Sequence, residues 1–204
     1  MKRTVRYFAN YGAENTDEVI EAVIERLREG DIKAVVVASS TGETAIKLAQ
    51  GIKGMARVIC VSDPPWAVGG FPESPGISSA NRAKLESLGV EVIDYMPYAS
   101  VAYSWQASEN VYGALDLLVV VFDAFRMVGG NGLKVAIEVG LMAANAGKVK
   151  AGEDVIAVGG TGSGADTAIV LKAAFSQRIL SKDPSERPEV REILAMPRVK
   201  KWWW

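Results

Sequence analysis

The stretch "VVVASSTGETA", residues 35–45, places three consecutive hydroxyls, Ser39, Ser40 and Thr41, before Gly42, with a fourth at Thr44. They stand where an apolar strand ends and a helix-compatible segment begins. In a parallel sheet, ligands sit beyond the carboxyl ends of the strands. A glycine there lets backbone approach closely, and hydroxyls together with the unpaired amides of a helix start donate to an anion. A helix cap needs only one Ser or Thr, so this loop reads as a phosphate cradle. A second glycine-rich loop, "VGGTGSGADT" at 158–167, carries Gly160, Thr161, Gly162, Ser163 and Gly164. Gly160, Gly162 and Ala165 fit the spacing of a dinucleotide fingerprint. The acid at the right remove is Asp183, but it lies in the polar loop "SKDPSERP", with no parallel strand after the glycines. A returning strand over "DTAIVLKA", with the glycines as a wide anion-binding turn, is the better reading. A flexible hairpin is the plain alternative, and Thr161, Ser163 and Thr167 are donors that a plain hairpin does not need.

Composition narrows the chemistry. The chain has 204 residues, 49% hydrophobic and 23% charged, with a formal net charge of -1, no histidine and one cysteine. The charge balance points to neither nucleic acid nor an acidic membrane surface. No apolar run is long enough to span a bilayer, and "MKRTVRYFANYG" lacks the apolar centre of a signal peptide, so a cytoplasmic protein is expected. The lack of histidine removes Ser-His-Asp and Cys-His nucleophile systems and the usual zinc sites. No metal site is expected. Acid–base work falls to Asp, Glu, Lys or Tyr. Cys60 alternates with apolar neighbours in "RVICVS" and reads as a buried, inert thiol.

The elements that position the two loops alternate between strand and helix, which predicts an α/β three-layer sandwich in one domain, with 196–204 as a tail. Strands are predicted at 4–8, 33–38, "ARVICVS", 90–94 and 153–160. Helices are predicted after Asn15-Thr16, from about Glu43, over 79–88, and over 108–126 and 132–147, interrupted by "GGNG". "KAVVVA" is apolar after Lys33, as a strand covered on both faces requires. Two Pro/Gly- or aromatic-rich loops, 62–76 and 95–106, are long enough to serve as lids or binding loops.

Other residues are ambiguous. Asn15 and Thr16 read equally as contacts to the same sheet edge and as a cap with Asn15 paired to Glu18. "GGNG" (129–132) is read as a helix break rather than an anion contact. Lys134 and Glu138, four apart, read as an ordinary ion pair of small worth. Trp66, Tyr98, Tyr103 and Trp105 suit stacking on a planar ring or an interface equally.

The segments "EAVIERLREGDIKAVVVASSTGETAIKLAQ", "ARVICVSD" and "AGEDVIAVGGTGSGADTAIVLK" resemble the C-terminal alpha/beta domain of pyruvate kinase. "GLKVAIEVGLMAANAGKVKAGEDVIAVGGTGSGADTA" and "EVREILAMPR" resemble a mostly archaeal family of stand-alone domains of that type. The resemblance implies a mixed five-stranded sheet of order 3-2-1-4-5, built from 34–38, 57–61, 90–94, 155–159 and 167–172, the last antiparallel, plus an added N-terminal strand. It implies that loops 39–44 and 160–166 face one crevice that takes a phosphorylated ligand, with flavin mononucleotide (FMN) as cofactor. It implies no pyruvate kinase activity, since the catalytic barrel and lid of that enzyme are not in these residues. A ligand-binding module, a flavin-dependent oxidoreductase and a non-catalytic interaction protein all fit, and a homodimer is implied by likeness alone.

Overall fold

The computed structural model describes residues 2–64, 75–95 and 117–201. The described strands are β1 (Arg6–Phe8), β2 (Ala34–Ala38), β3 (Arg57–Val61), β4 (Glu91–Ile93), β5 (Asp154–Gly159), β6 (Thr167–Lys172) and β7 (Glu189–Pro197). They form one sheet of order β1-β7-β6-β5-β2-β3-β4. β2 pairs in parallel with β3 and β5, and β3 with β4, while β6 is antiparallel to β5 and to β7. The five predicted core strands thus run in the expected order, with the last reversed.

The sheet is wider than expected because of β7. "EVREILAMP" mixes charged and apolar residues, and its pairing with β6 slips twice. That erases the alternation by which a strand is recognised. Its buried end includes Met196 and Pro197, so the expected tail begins inside the sheet. β1 pairs in parallel with β7 at the far edge and is shorter than the predicted 4–8. Arg26, buried on α1, holds β7 through Glu192 (3.0 Å) and also grips Asp31 at 2.7 and 2.9 Å. That pairing takes the Asp31 carboxyl down to about 2.

Helices α1 (Thr16–Leu27), α2 (Glu43–Ile52) and α3 (Ser79–Ser87) cover one face. Their apolar stripes, Val19, Val23 and Leu27, then Ala45, Leu48 and Ile52, then Leu85, pack on Val35, Val37, Cys60, Ile156 and Val158. The alternate residues of the same strands, Val36, Ile59, Val155 and Ala157, meet α4 (Leu117–Asn145) on the other face. This is the expected three-layer sandwich. Truncating a fully buried residue such as Leu48 to Ala costs about 2–5 kcal/mol. Cys60 is buried, and desolvation pushes its thiol up to about 12, as befits an inert thiol.

α4 is two helices joined at a kink. Gly130 takes φ 77, ψ -175 inside "GGNG", as the break predicted there requires. Its second half lies close to the sheet because small residues face it. A Cβ on Gly159 would strike the Gly132 carbonyl oxygen and the Ala136 amide, and one on Gly140 would strike Leu171. Among the described residues no helix is long and apolar enough to cross a membrane.

Candidate functional site

The carboxyl ends of β1, β2, β3, β4, β5 and β7 and the start of β6 share one edge of the sheet. The loops leaving them are 9–15, 39–42, 62–64, 94–95, 160–166 and 198–201. β2 and β5 are neighbours there, with Val37 opposite Val158. The chain from β2 turns to one face and that from β5 turns back on itself, so the edge opens at a topological switch point.

In the first loop, Gly42 takes φ 86 and turns the chain into α2. Ser39 is buried, and its Oγ accepts the Ala45 amide at a long 3.5 Å. Thr41 Oγ1 accepts the Glu43 amide at 3.4 Å. These are weak caps. The Ser40 side chain is exposed and that of Thr44 half-buried. Main-chain groups fix the turn: the Ser40 carbonyl accepts from Ser62 Oγ at 2.9 Å, and the Thr41 carbonyl from Asn81 Nδ2 at 2.9 Å. The loop is therefore held by its carbonyls, with no described hydrogen bond on the Ser40 or Thr44 hydroxyl.

The second loop is held differently. Gly162 (φ 85) and Ser163 form an exposed tip with nothing within 4 Å of a Cβ at Gly162. A Cβ on Gly160 would strike the Gly164 carbonyl, and one on Gly164 (φ 65) would lie 2.5 Å from Thr16 Oγ1 and 2.8 Å from Ala13 Cα. Thr16 Oγ1 accepts the Ala165 amide at 3.0 Å and donates to the Ala13 carbonyl at 2.6 Å. Thr16 thus ties the loop to the start of α1. Asn15 does not cap that helix, nor does it pair with Glu18. Its Nδ2 donates to the carbonyls of Asn10 (3.0 Å) and Gly12 (3.2 Å), so it holds loop 10–12.

The residue that unites these segments is Asp166, fully buried at the base of the loop. Its carboxylate accepts the Gly12 amide at 3.2 Å and the Thr167 hydroxyl at 2.8 Å. It also lies against Gly132, where the second half of α4 begins. A carboxylate there complements the helix dipole, so this helix start already faces an acid of the protein's own. Burial pushes the Asp166 carboxyl above the usual carboxylate range, against the pull of these hydrogen bonds. Thr161 lies beside the same carboxylate and draws its pKa down, yet its buried hydroxyl makes no hydrogen bond of ordinary geometry. Segment 198–201 closes over the kink. The Lys201 carbonyl accepts the Asn131 amide at 2.8 Å, and Lys201 Nζ lies 5.3 Å from the Tyr11 ring centroid. Burial lowers the Lys200 ammonium, and Asp166 raises it in part.

Lys134 and Glu138 do pair, but not as the surface pair their spacing suggests. They are 8% and 5% exposed, and Glu138 Oε1 has no hydrogen-bond partner among the described residues. Helical spacing gave the pairing; burial depends on the kink and on which side of α4 meets the sheet.

The structure thus gathers Asn15, Thr16, Gly160, Thr161, Gly162, Ser163 and Gly164 around Asp166. Ser39, Ser40, Thr41, Gly42 and Thr44 form a separate turn braced by Ser62 and α3 on the adjacent strand. No hydrogen bond among the described residues joins the two groups. Asp166 and Gly12 were not singled out in the sequence; the one available signal was an acid opening the apolar run "TAIVLK". Trp66, Tyr98, Tyr103 and Trp105, and most of both long loops, lie outside the described residues, as do 108–116 and 202–204. The helix after Ala165 that a dinucleotide fingerprint needs is replaced by β6.

A cavity of about 590 Å³ opens at the opposite edge, lined by Arg57, Lys148, Lys150 and Glu153. Arg57 and Lys148 are both paired to Glu91 there, at 3.1 Å each. That edge presents the amino ends of the strands, so the carboxyl edge is the better candidate. Among the described residues no cluster of three or more Asp, Glu, Cys or His is placed to hold a metal.

The α/β fold agrees with the family that the chain matches. The family model for the pyruvate kinase alpha/beta domain matches residues 17–171, most of the chain, and the protein belongs to that family.

Proposed function

We propose that the carboxyl edge between loops 39–44 and 160–166 binds a small phosphorylated molecule, with FMN as the favoured ligand by family likeness. The observation that carries this reading is the start of α2. Gly42 turns the chain so that, among the described residues, the first amides of α2 meet only long contacts from Ser39 and Thr41, and the Ser40 and Thr44 hydroxyls make none. A phosphate completes those donors, and the helix dipole favours its charge. The second loop forms the facing wall, with Gly162 and Ser163 as the exposed tip that reaches the ligand. Asp166 keeps that wall in place and is not itself a phosphate contact, since a buried carboxylate repels one.

The absorbance spectrum of the purified protein, before and after incubation with FMN, tests the choice of ligand. A visible flavin band that stays with the protein through gel filtration supports FMN. A colourless protein that takes up no added FMN removes it, and the phosphate reading is then carried by titration with inorganic phosphate.

A further inference from the structure

The first half of α4, "LLVVVFDAFRMV" at 117–128, is apolar on two faces. Val119, Phe122 and Arg126 lie on its inner face and are buried. Leu117, Val120, Ala124, Met127 and Val128 recur every three or four residues and form a second stripe on the outer face. Its large members are exposed, from 46% at Val120 to 64% at Leu117. The two charged residues of the segment, Asp123 and Arg126, pair with each other at 2.5 Å and put no charge on that stripe. A helix that is apolar all round belongs under a cover, and a contiguous exposed apolar stripe marks a docking surface. The described residues leave this one open.

The chain itself passes one end of the stripe. After β7, the Arg198 amide donates to the Phe8 carbonyl at 2.8 Å, and the Lys201 carbonyl accepts the Asn131 amide at 2.8 Å. The Lys201 amide nitrogen lies 3.5 Å from where a Cβ on Gly130 would stand, just beyond Val128. The residues that follow Lys201 are Trp202, Trp203 and Trp204, outside the described residues. Three extended residues reach about 10 Å. At about 1.5 Å per residue, Val120 lies about 12 Å along the helix from Val128 and Leu117 about 16 Å. With the length of an indole added, the three side chains cover Met127, Val128 and Ala124, come to Val120 and stop short of Leu117. An indole also suits such a half-open seat, since its ring packs on apolar surface while its N–H stays in water.

We propose that Trp202, Trp203 and Trp204 dock on the outer stripe of α4, from Met127 and Val128 toward Val120, and so clasp segment 198–201 across the carboxyl edge. The clasp joins the end of β7 to the kink of α4 and keeps Lys201 over the Tyr11 ring.

The test uses the full chain carrying W66F/W105F, in which Trp202, Trp203 and Trp204 are the tryptophans that remain. Emission maximum and acrylamide quenching read their exposure. The parent is expected to emit to the blue of tryptophan in water and to resist quenching. M127S/V128S is expected to lose both properties, and L117S to keep both. Tryptic cleavage after Lys201, followed by intact mass, is expected to quicken about tenfold or more in M127S/V128S, because cleavage tracks the open population. If M127S/V128S does not fold, Val128→Ala is the milder change and carries the same comparison. Tryptophans that are exposed in the parent, or shielding that survives M127S/V128S, overturns the proposal. Shielding that L117S removes equally well overturns it in favour of a longer occupant, and shielding that fades on dilution does so in favour of a second copy of the chain.

Discussion

Gly42 and Gly164 both adopt left-handed backbone at the same edge of the sheet, but a methyl added to each meets different neighbours. At Gly42 it meets the tip of Leu85, 2.9 Å away, a flexible side chain that can yield. At Gly164 it meets Thr16 Oγ1 and the Ala13 main chain, which cannot. The second loop is welded to the start of α1 by Thr16 and to loop 10–12 by Asp166. The first is anchored through its carbonyls, and no described hydrogen bond falls on its Ser40 or Thr44 hydroxyl. Two loops built from glycine and hydroxyl residues are therefore held differently: one is tied to the start of α1 and ends in a short exposed tip, the other is braced through its carbonyls.

The comparison breaks first at Gly164. Gly164→Val should destabilise the fold by about 3 kcal/mol or more, combining backbone strain with a clash against main chain. Chemical denaturation measures it, and a loss below about 1 kcal/mol would mean the loop is not welded. Ser40→Ala and Thr44→Ala should behave in the opposite way. Stability should stay within about 0.5 kcal/mol of wild type, because neither hydroxyl supports the fold. Affinity for inorganic phosphate should fall by about 1.5–3 kcal/mol for each hydrogen bond lost. Gly162→Ala sharpens the contrast within the second loop. With open space around it, only the left-handed backbone resists, so about 1–2 kcal/mol of stability is lost, less than at Gly164.

The smallest effect is a pH dependence from Asp166. Its folded pKa is raised, so the folded state holds the proton more tightly than the unfolded one. The resulting stability is complete below the ordinary carboxylate pKa and is lost as pH rises through the raised value. Thermal melts from acid to neutral pH should show this decline in the wild type and not in Asp166→Asn. The opposite slope assigned to Asp166 would show that its hydrogen bonds outweigh its burial.

Much of the frame was legible because it is local. "AVVVA" and "DVIAVG" are apolar on both faces, and "GGNG" breaks a helical run. The order of the five core strands came from resemblance, since no periodicity orders strands. β7 escaped because its register slips against β6, and its charged first half faces out while "LAMP" is buried. At the site, the donors could be read from residue type, but their division could not. Asp166 meets Gly12 across a separation of 154 residues, and nothing short of the fold announces that contact. The cap reading of Asn15 gave way to a local alternative: its side chain turns back to the carbonyls of Asn10 and Gly12.

The central claim is that loop 39–44 holds the phosphate. Calorimetric titration of wild type and of S40A/T44A with FMN and with riboflavin, which lacks the phosphate, tests it most directly. The account predicts that the wild type binds FMN more tightly than riboflavin and that the variant loses most of that difference while its riboflavin affinity is unchanged. Equal losses for both ligands, or a wild type that does not distinguish them, would contradict it.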